Sequence, residues 1–128
     1  MFKLKHILLL LLSVILFTQT YSQKKTQITG VYTNLEYVKE SGDVVGMEVI
    51  IVYSTDGKNG QHYALVQEAQ GLPSQPILVQ VKVDKDGIEF SLSDKQVFRG
   101  KISKKELVGK FVGNENIIKL KRKKSYWQ

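Results

Sequence analysis

From Ile28 onward the apolar side chains of this chain recur at every second position, in short runs interrupted by glycine, aspartate and asparagine. Period two places successive side chains on opposite faces of an extended strand, whereas an amphipathic helix repeats its apolar positions every three to four residues. No segment after Ile28 shows the helical period, so an all-β domain is expected.

The pattern predicts eight strands. The first runs from about Thr29 to Val38, with Val31, Thr33, Leu35 and Tyr37 on one face and Tyr32, Asn34, Glu36 and Val38 on the other. Ser41-Gly42-Asp43 turns it into Val44 to Tyr53, which is apolar on both faces. Asp56-Gly57 and Asn59-Gly60 are strong turn formers and lead into His62 to Ala69. The next segment, Gly71 to Pro76, carries both prolines and is expected to stand outside the sheet, because proline has no ladder donor. Ile77 to Asp84 alternates most cleanly, and Asp86-Gly87 reverses it into Ile88 to Leu92. Val97 to Ser103 and Leu107 to Val112 follow, then Ile117 to about Lys124, which leaves Ser125 to Gln128 as a tail.

Two of these strands are near mirror images about Lys104-Lys105: Phe98-x-Gly100-x-Ile102 and Leu107-x-Gly109-x-Phe111. Glycine on an inward face leaves room for a large neighbour or permits a sharp bend. Strands joined in sequence by tight turns favour an up-and-down meander whose two edges meet, so a small antiparallel barrel or half-barrel is expected. A β-sandwich is the alternative. It needs a long crossing connection, and only the proline segment could serve as one.

Ahead of the β region stands a different kind of segment. Met1-Phe2-Lys3-Leu4-Lys5-His6 is short and positive, and an apolar run follows over Ile7 to Leu12 and Val14 to Phe17. The run is shorter than the about 20 apolar residues of a membrane-spanning helix but suits a signal-peptide core. Thr20 and Ser22 place small residues just before a cut between Ser22 and Gln23. Residues 1–22 are therefore expected to be a signal peptide and 23–128 a single exported domain, periplasmic or secreted, with no transmembrane segment after signal removal. An uncleaved anchor is the alternative. The chain has no cysteine, so burial of aliphatic and aromatic side chains must supply its stability without disulfides. Its formal net charge is +7, to which Lys3 and Lys5 of the leader contribute, so the domain itself is mildly basic.

The domain resembles the small up-and-down barrels of the lipocalin and avidin type. Gly30-Val31-Tyr32 stands near where lipocalins carry Gly-x-Trp, with tyrosine in place of tryptophan, and Arg122 lies on the last strand, where they keep a basic partner. The whole chain, with its Ser22-Gln23 cut and its Lys123-Lys124-Ser125-Tyr126-Trp127 stretch, also resembles uncharacterised small exported proteins of Gram-negative bacteria, a likeness that brings no activity with it.

Candidate sites are few. Nucleophilic catalysis needs a base held against a nucleophile, and the domain has His62 alone, with no partner in sequence. The strand-borne acids Glu36, Glu48 and Glu68 each alternate with apolar neighbours, as on a solvated strand face. Asp84-x-Asp86-Gly87 lacks the further acids of a calcium loop and reads as a hairpin turn. No catalytic residue, metal or cofactor is expected. A small ligand at the barrel mouth would meet Tyr37, Tyr53, Tyr63, His62 and Leu72, since tyrosine offers an apolar ring with a polar tip and Leu72 sits on an exposed connection.

The strongest functional hint is Lys119, Lys121, Arg122 and Lys123, followed by Trp127. Such a stretch can bind nucleic acid, but export removes the chain from it, so an anionic envelope component or acidic partner is the better target. These residues can equally be lysines guarding a strand edge, with Trp127 plugging one end of the barrel. The expected function is a non-enzymatic binding module for a small molecule or an anionic partner. A structural or protein-interaction domain with a filled core is the first alternative and a hydrolase-type enzyme the second. The sequence sets no oligomeric state.

Overall fold

The structure is a computed structural model that describes residues 26–55, 57 and 59–128. The expected signal peptide, its cut at Ser22/Gln23, and Asp56 and Lys58 of the second turn lie outside the described residues. The strands are β1 (Gly30–Thr33), β2 (Glu36–Val38), β3 (Asp43–Thr55), β4 (Gly60–Pro73), β5 (Ile77–Asp84), β6 (Gly87–Ser93), β7 (Gln96–Ile102), β8 (Glu106–Phe111) and β9 (Ile118–Arg122). There is no helix among the described residues.

Each strand from β2 to β9 pairs antiparallel with the next, and β1 pairs with both β3 and β9, which closes the sheet into a barrel. Strands β1 and β2 keep one register against β3, from Gly30 opposite Ile51 to Val38 opposite Asp43, so they are a single strand broken at Asn34 and Leu35. The barrel is thus an eight-stranded up-and-down meander with one strand split.

The split was not foreseen and has a local cause. The Met47 N–H donates to the Asn34 side-chain Oδ1 at 2.7 Å, while the Asn34 N–H donates to the Met47 carbonyl at 3.1 Å. The Asn34 carbonyl turns instead onto Gly46, whose φ is +113° and where an added Cβ would lie 2.6 Å from that oxygen. Only glycine tolerates both the conformation and the approach.

A second correction concerns the prolines. Gly71 to Pro73 belong to β4, with Gly71 opposite Val44, and only Ser74 to Pro76 form the connection. Residues 62–66 of β4 pair with β5, while its far end continues along β3 alone, so the nitrogen of Pro73 owes no bond to β5. The Ser74 N–H folds back onto the Glu68 carbonyl at 2.8 Å and secures the bend.

Alternation delivers the core to the barrel interior. Val49, Ile51, Val66, Val81, Phe90, Phe98, Leu107 and Leu120 are each 2% exposed or less. Burial of each such side chain contributes about 1.5–3 kcal/mol. Phe98 stacks on Phe90 at 4.9 Å between ring centres and meets Phe111 edge-on at 5.6 Å. Gly100 and Gly109 lie directly opposite one another beneath its ring, and a Cβ on Gly109 would come 2.5 Å from Phe98 Cζ. The mirrored glycines therefore make room for one large aromatic.

Reversal at every turn gives the barrel two distinct ends. Chain entry before β1, the β3–β4, β5–β6 and β7–β8 turns and the end of β9 share one end, called here the entry end. The remaining turns form the far end.

Candidate functional site

The residues named for a small ligand do not assemble. Tyr53 and His62 are opposite each other on the inward phase at the entry end, with ring centres 4.9 Å apart. The Tyr53 hydroxyl fills the space a side chain at Gly60 would need. Tyr63 takes the opposite phase and faces outward beside Val52. Tyr37 and Leu72 are exposed at the far end, where the Tyr37 hydroxyl lies beside Gly42. Adjacent strand residues cannot share a face, and residues at opposite ends of a meander cannot share a mouth. An entry-end pocket of about 510 Å³ does exist, lined by Thr26, Ile28, Val83, Ile88 and Ile102 with Asp84, Asp86 and Lys101 at its border, and none of the named residues lines it.

The basic stretch of β9 divides by the same parity. Leu120 and Arg122 point inward, while Lys119 and Lys121 point outward. The guanidinium of Arg122 turns across the entry end, where Nη1 donates to the Thr29 carbonyl at 2.8 Å and Nη2 donates to the Gln27 carbonyl and the Tyr32 hydroxyl. It also lies 4.7 Å from the centre of the Tyr32 ring, and the Tyr32 hydroxyl donates onward to the Ile28 carbonyl at 2.7 Å. Arg122 therefore ties the entering chain to the last strand, and the structure separates it from the neighbouring lysines.

Burial pushes the Tyr32 phenol above its ordinary value of 10, and outweighs the Arg122 guanidinium, which pulls the other way. In the unfolded chain the phenol ionises near the ordinary value. The stabilisation from keeping it neutral is therefore complete below about pH 10 and is lost as pH rises through the folded value. Thermal unfolding midpoints measured between about pH 8 and pH 11 are expected to fall more steeply in the wild type than in Tyr32→Phe. Equal alkaline slopes in the two proteins exclude this assignment.

Outward of β9 lies a basic face. Lys119 stands opposite Val108 and Lys121 opposite Glu106, while Lys101 flanks Val108 from the other side. The Lys123 N–H donates to the Val31 carbonyl at 3.2 Å, which sets its side chain beside β1. Nearby cations are engaged: Arg99 contacts Glu89 at 2.6 Å and Lys110 contacts Glu115 at 3.6 Å. Among the described residues Lys101, Lys119, Lys121 and Lys123 have no ion-pair partner.

The tail is the largest departure from expectation. Trp127 does not plug a barrel end. It lies on the outer wall, where its indole N–H donates to Gln67 Oε1 at 2.8 Å. Ahead of it, the Ser125 hydroxyl donates to Glu48 Oε1 at 2.6 Å and the Tyr126 N–H to Glu48 Oε2 at 2.8 Å. Glu48, expected on a solvated face, is 3% exposed beneath this clasp. Glu36 and Glu68 lie on strands separated by β3 and on the inward phase, so the three acids do not converge. Among the described residues, no three His, Cys, Asp or Glu side chains gather as a metal site requires.

The clasp had one trace in the sequence. Thr33, Glu48 and Gln67 form a polar cross-strand row on an otherwise apolar outer face, which becomes visible once the register is known.

No family model, curated protein or solved structure matches the chain.

Proposed function

We propose that the chain is an exported, non-enzymatic binding module that engages an anionic envelope partner through the outer face of its last strand. The observation that carries this reading is the row Lys119, Lys121 and Lys123, exposed and without ion-pair partners among the described residues. Alternate residues of one strand stand about 6.6 Å apart. Such a row presents positive charge at a spacing suited to repeated phosphate or carboxylate groups. The leader-like N-terminus and the lipocalin-like architecture support export and a binding role.

The outward lysines raise local anion concentration through a field that salt screens. Replacing Lys119, Lys121 and Lys123 together by glutamine is expected to weaken binding to soluble polyphosphate about tenfold to a hundredfold at low salt. The variant is expected to keep its unfolding midpoint, because all three side chains are exposed. Binding that is insensitive to salt, or unchanged in the triple variant, overturns the proposal. A second reading, a small apolar ligand at the entry-end pocket, is favoured by Ile28, Val83, Ile88 and Ile102 in its lining. Protection of Ile28 and Val83 amides on addition of a fatty acid tests that reading, and no change dismisses it.

A further inference from the structure

We propose that the anionic partner is a lipid bilayer surface, met by an apolar patch on the outer wall that the basic row flanks. This inference rests on the anionic-partner reading above.

The outward positions of the barrel fall into two unlike halves. Over β6 to β8 they carry Glu89, Arg99, Lys101 and Lys110 with Val97 and Val108 among them, the mostly polar wall expected of a strand face in water. Over β1 and β3 to β5 the wall carries an apolar row, bordered on one side by the polar row of Thr33, Glu48 and Gln67. Val31 stands opposite Ile50, Ile50 opposite Leu65, and Leu65 opposite Leu78, one unbroken outward row across four strands. At about 4.8 Å between strands, the row is about 14 Å wide. Leu78 is 68% exposed, Val52 in the neighbouring row 48% and Leu65 39%. Lone exposed apolar residues need no explanation, but a contiguous set marks a contact surface.

What covers the patch is indicated by its borders. Lys123 adjoins Val31 at one edge, beside Lys121 and Lys119, and at the opposite edge, on β5, Lys82 lies beyond Gln80 and contacts Glu89 at 3.9 Å, so the unpaired positive charge stands on the β9 side. Along a third side the tail sets Trp127, half exposed, with its indole nitrogen tied to Gln67 and its ring edge-on to Tyr126. The one acid on the row beside the patch, Glu48, is buried and bonded by the tail. An apolar centre bordered by tryptophan and lysine matches the headgroup boundary of an anionic bilayer, where aromatic rings settle and each lysine gains from the surface potential. A second copy of the chain is disfavoured, because a two-fold pairing of this patch brings like-charged flanks together.

Trp127 is the single tryptophan of the chain, so its emission reports on the patch directly. The processed protein is mixed with vesicles of phosphatidylglycerol and phosphatidylcholine, or of phosphatidylcholine alone. Emission is expected to shift to the blue, and the protein to sediment with vesicles, only when phosphatidylglycerol is present. Replacing Leu65 and Leu78 by serine is expected to lower partitioning about tenfold while leaving polyphosphate binding as in the wild type. Wild-type binding to polyphosphate with no vesicle sedimentation and no emission shift overturns the bilayer assignment alone. A lipid-independent blue shift that grows with protein concentration, together with a dimer mass in sedimentation, assigns the patch to a second copy and also overturns it. If the lysine variant binds both probes like the wild type, the anionic-partner reading itself falls.

Discussion

Phe98→Ala is expected to lower the free energy of unfolding by about 3–5 kcal/mol. The ring is fully buried, stacked on Phe90, met edge-on by Phe111, and seated on the backbones of Gly100 and Gly109. The cost of such a truncation depends on how far the surroundings relax into the void. Here part of the lining is paired backbone that carries no side chain, held in the β7–β8 ladder with Gly100 opposite Gly109. It cannot rotate into the space, so the cavity persists and the cost falls toward the upper end. A small domain holds only about 5–15 kcal/mol in all, and this one has no disulfide to limit its unfolded state. Urea unfolding of the protein measures the loss. A change below about 1 kcal/mol, the median for point variants, shows that the ring is not the keystone described.

Glu48→Ala is expected to cost about 2–3 kcal/mol and to release the tail. The carboxylate accepts both the Ser125 hydroxyl and the Tyr126 N–H, and hydrogen bonds to a charged, buried acceptor are the stronger kind. The released partners regain water, which keeps the cost below that of stranding them. Trp127 is expected to shift its emission to the red, and the amide of Tyr126 to lose exchange protection. A cycle with a chain lacking residues 125–128 separates the clasp from other effects: in the shortened chain Glu48→Ala is expected to cost little, because its partners are already gone. An undiminished cost there assigns Glu48 a role outside the clasp. The patch described above adjoins this tail, so the same variant is expected to weaken vesicle partitioning through the loss of a positioned Trp127.

Much of this architecture is legible residue by residue. The runs from Val44, Ile77, Ile88, Val97, Leu107 and Ile117 each became a strand near their expected bounds, and the run from His62 became one that continues past Ala69 to Pro73, because period-two patterning acts locally while the length of a strand also depends on its partner. The paired glycines beneath Phe98 were readable as a matched motif. The inward turn of Arg122 was also readable in principle, since it shares its phase with Leu120. So was the scattering of Tyr37, Tyr53, Tyr63, His62 and Leu72, because strand parity and chain reversal divide them between two faces and two ends. Residue type alone does not carry that geometry. The break at Asn34 was not legible, because it depends on Gly46 lying opposite across the ladder.

The sequence by itself determined that this chain forms pleated strands around an apolar interior, since the alternation of side chains is a property of neighbouring residues and needs no distant partner. Only the tertiary structure decided which outward residues become a surface. Glu48 and Ser125 stand 77 positions apart, and Leu78, Leu65, Ile50 and Val31 come from four different strands. Their adjacency arises from barrel closure and register, which pattern alone does not encode, because each strand offers the same two faces whichever neighbour it is given.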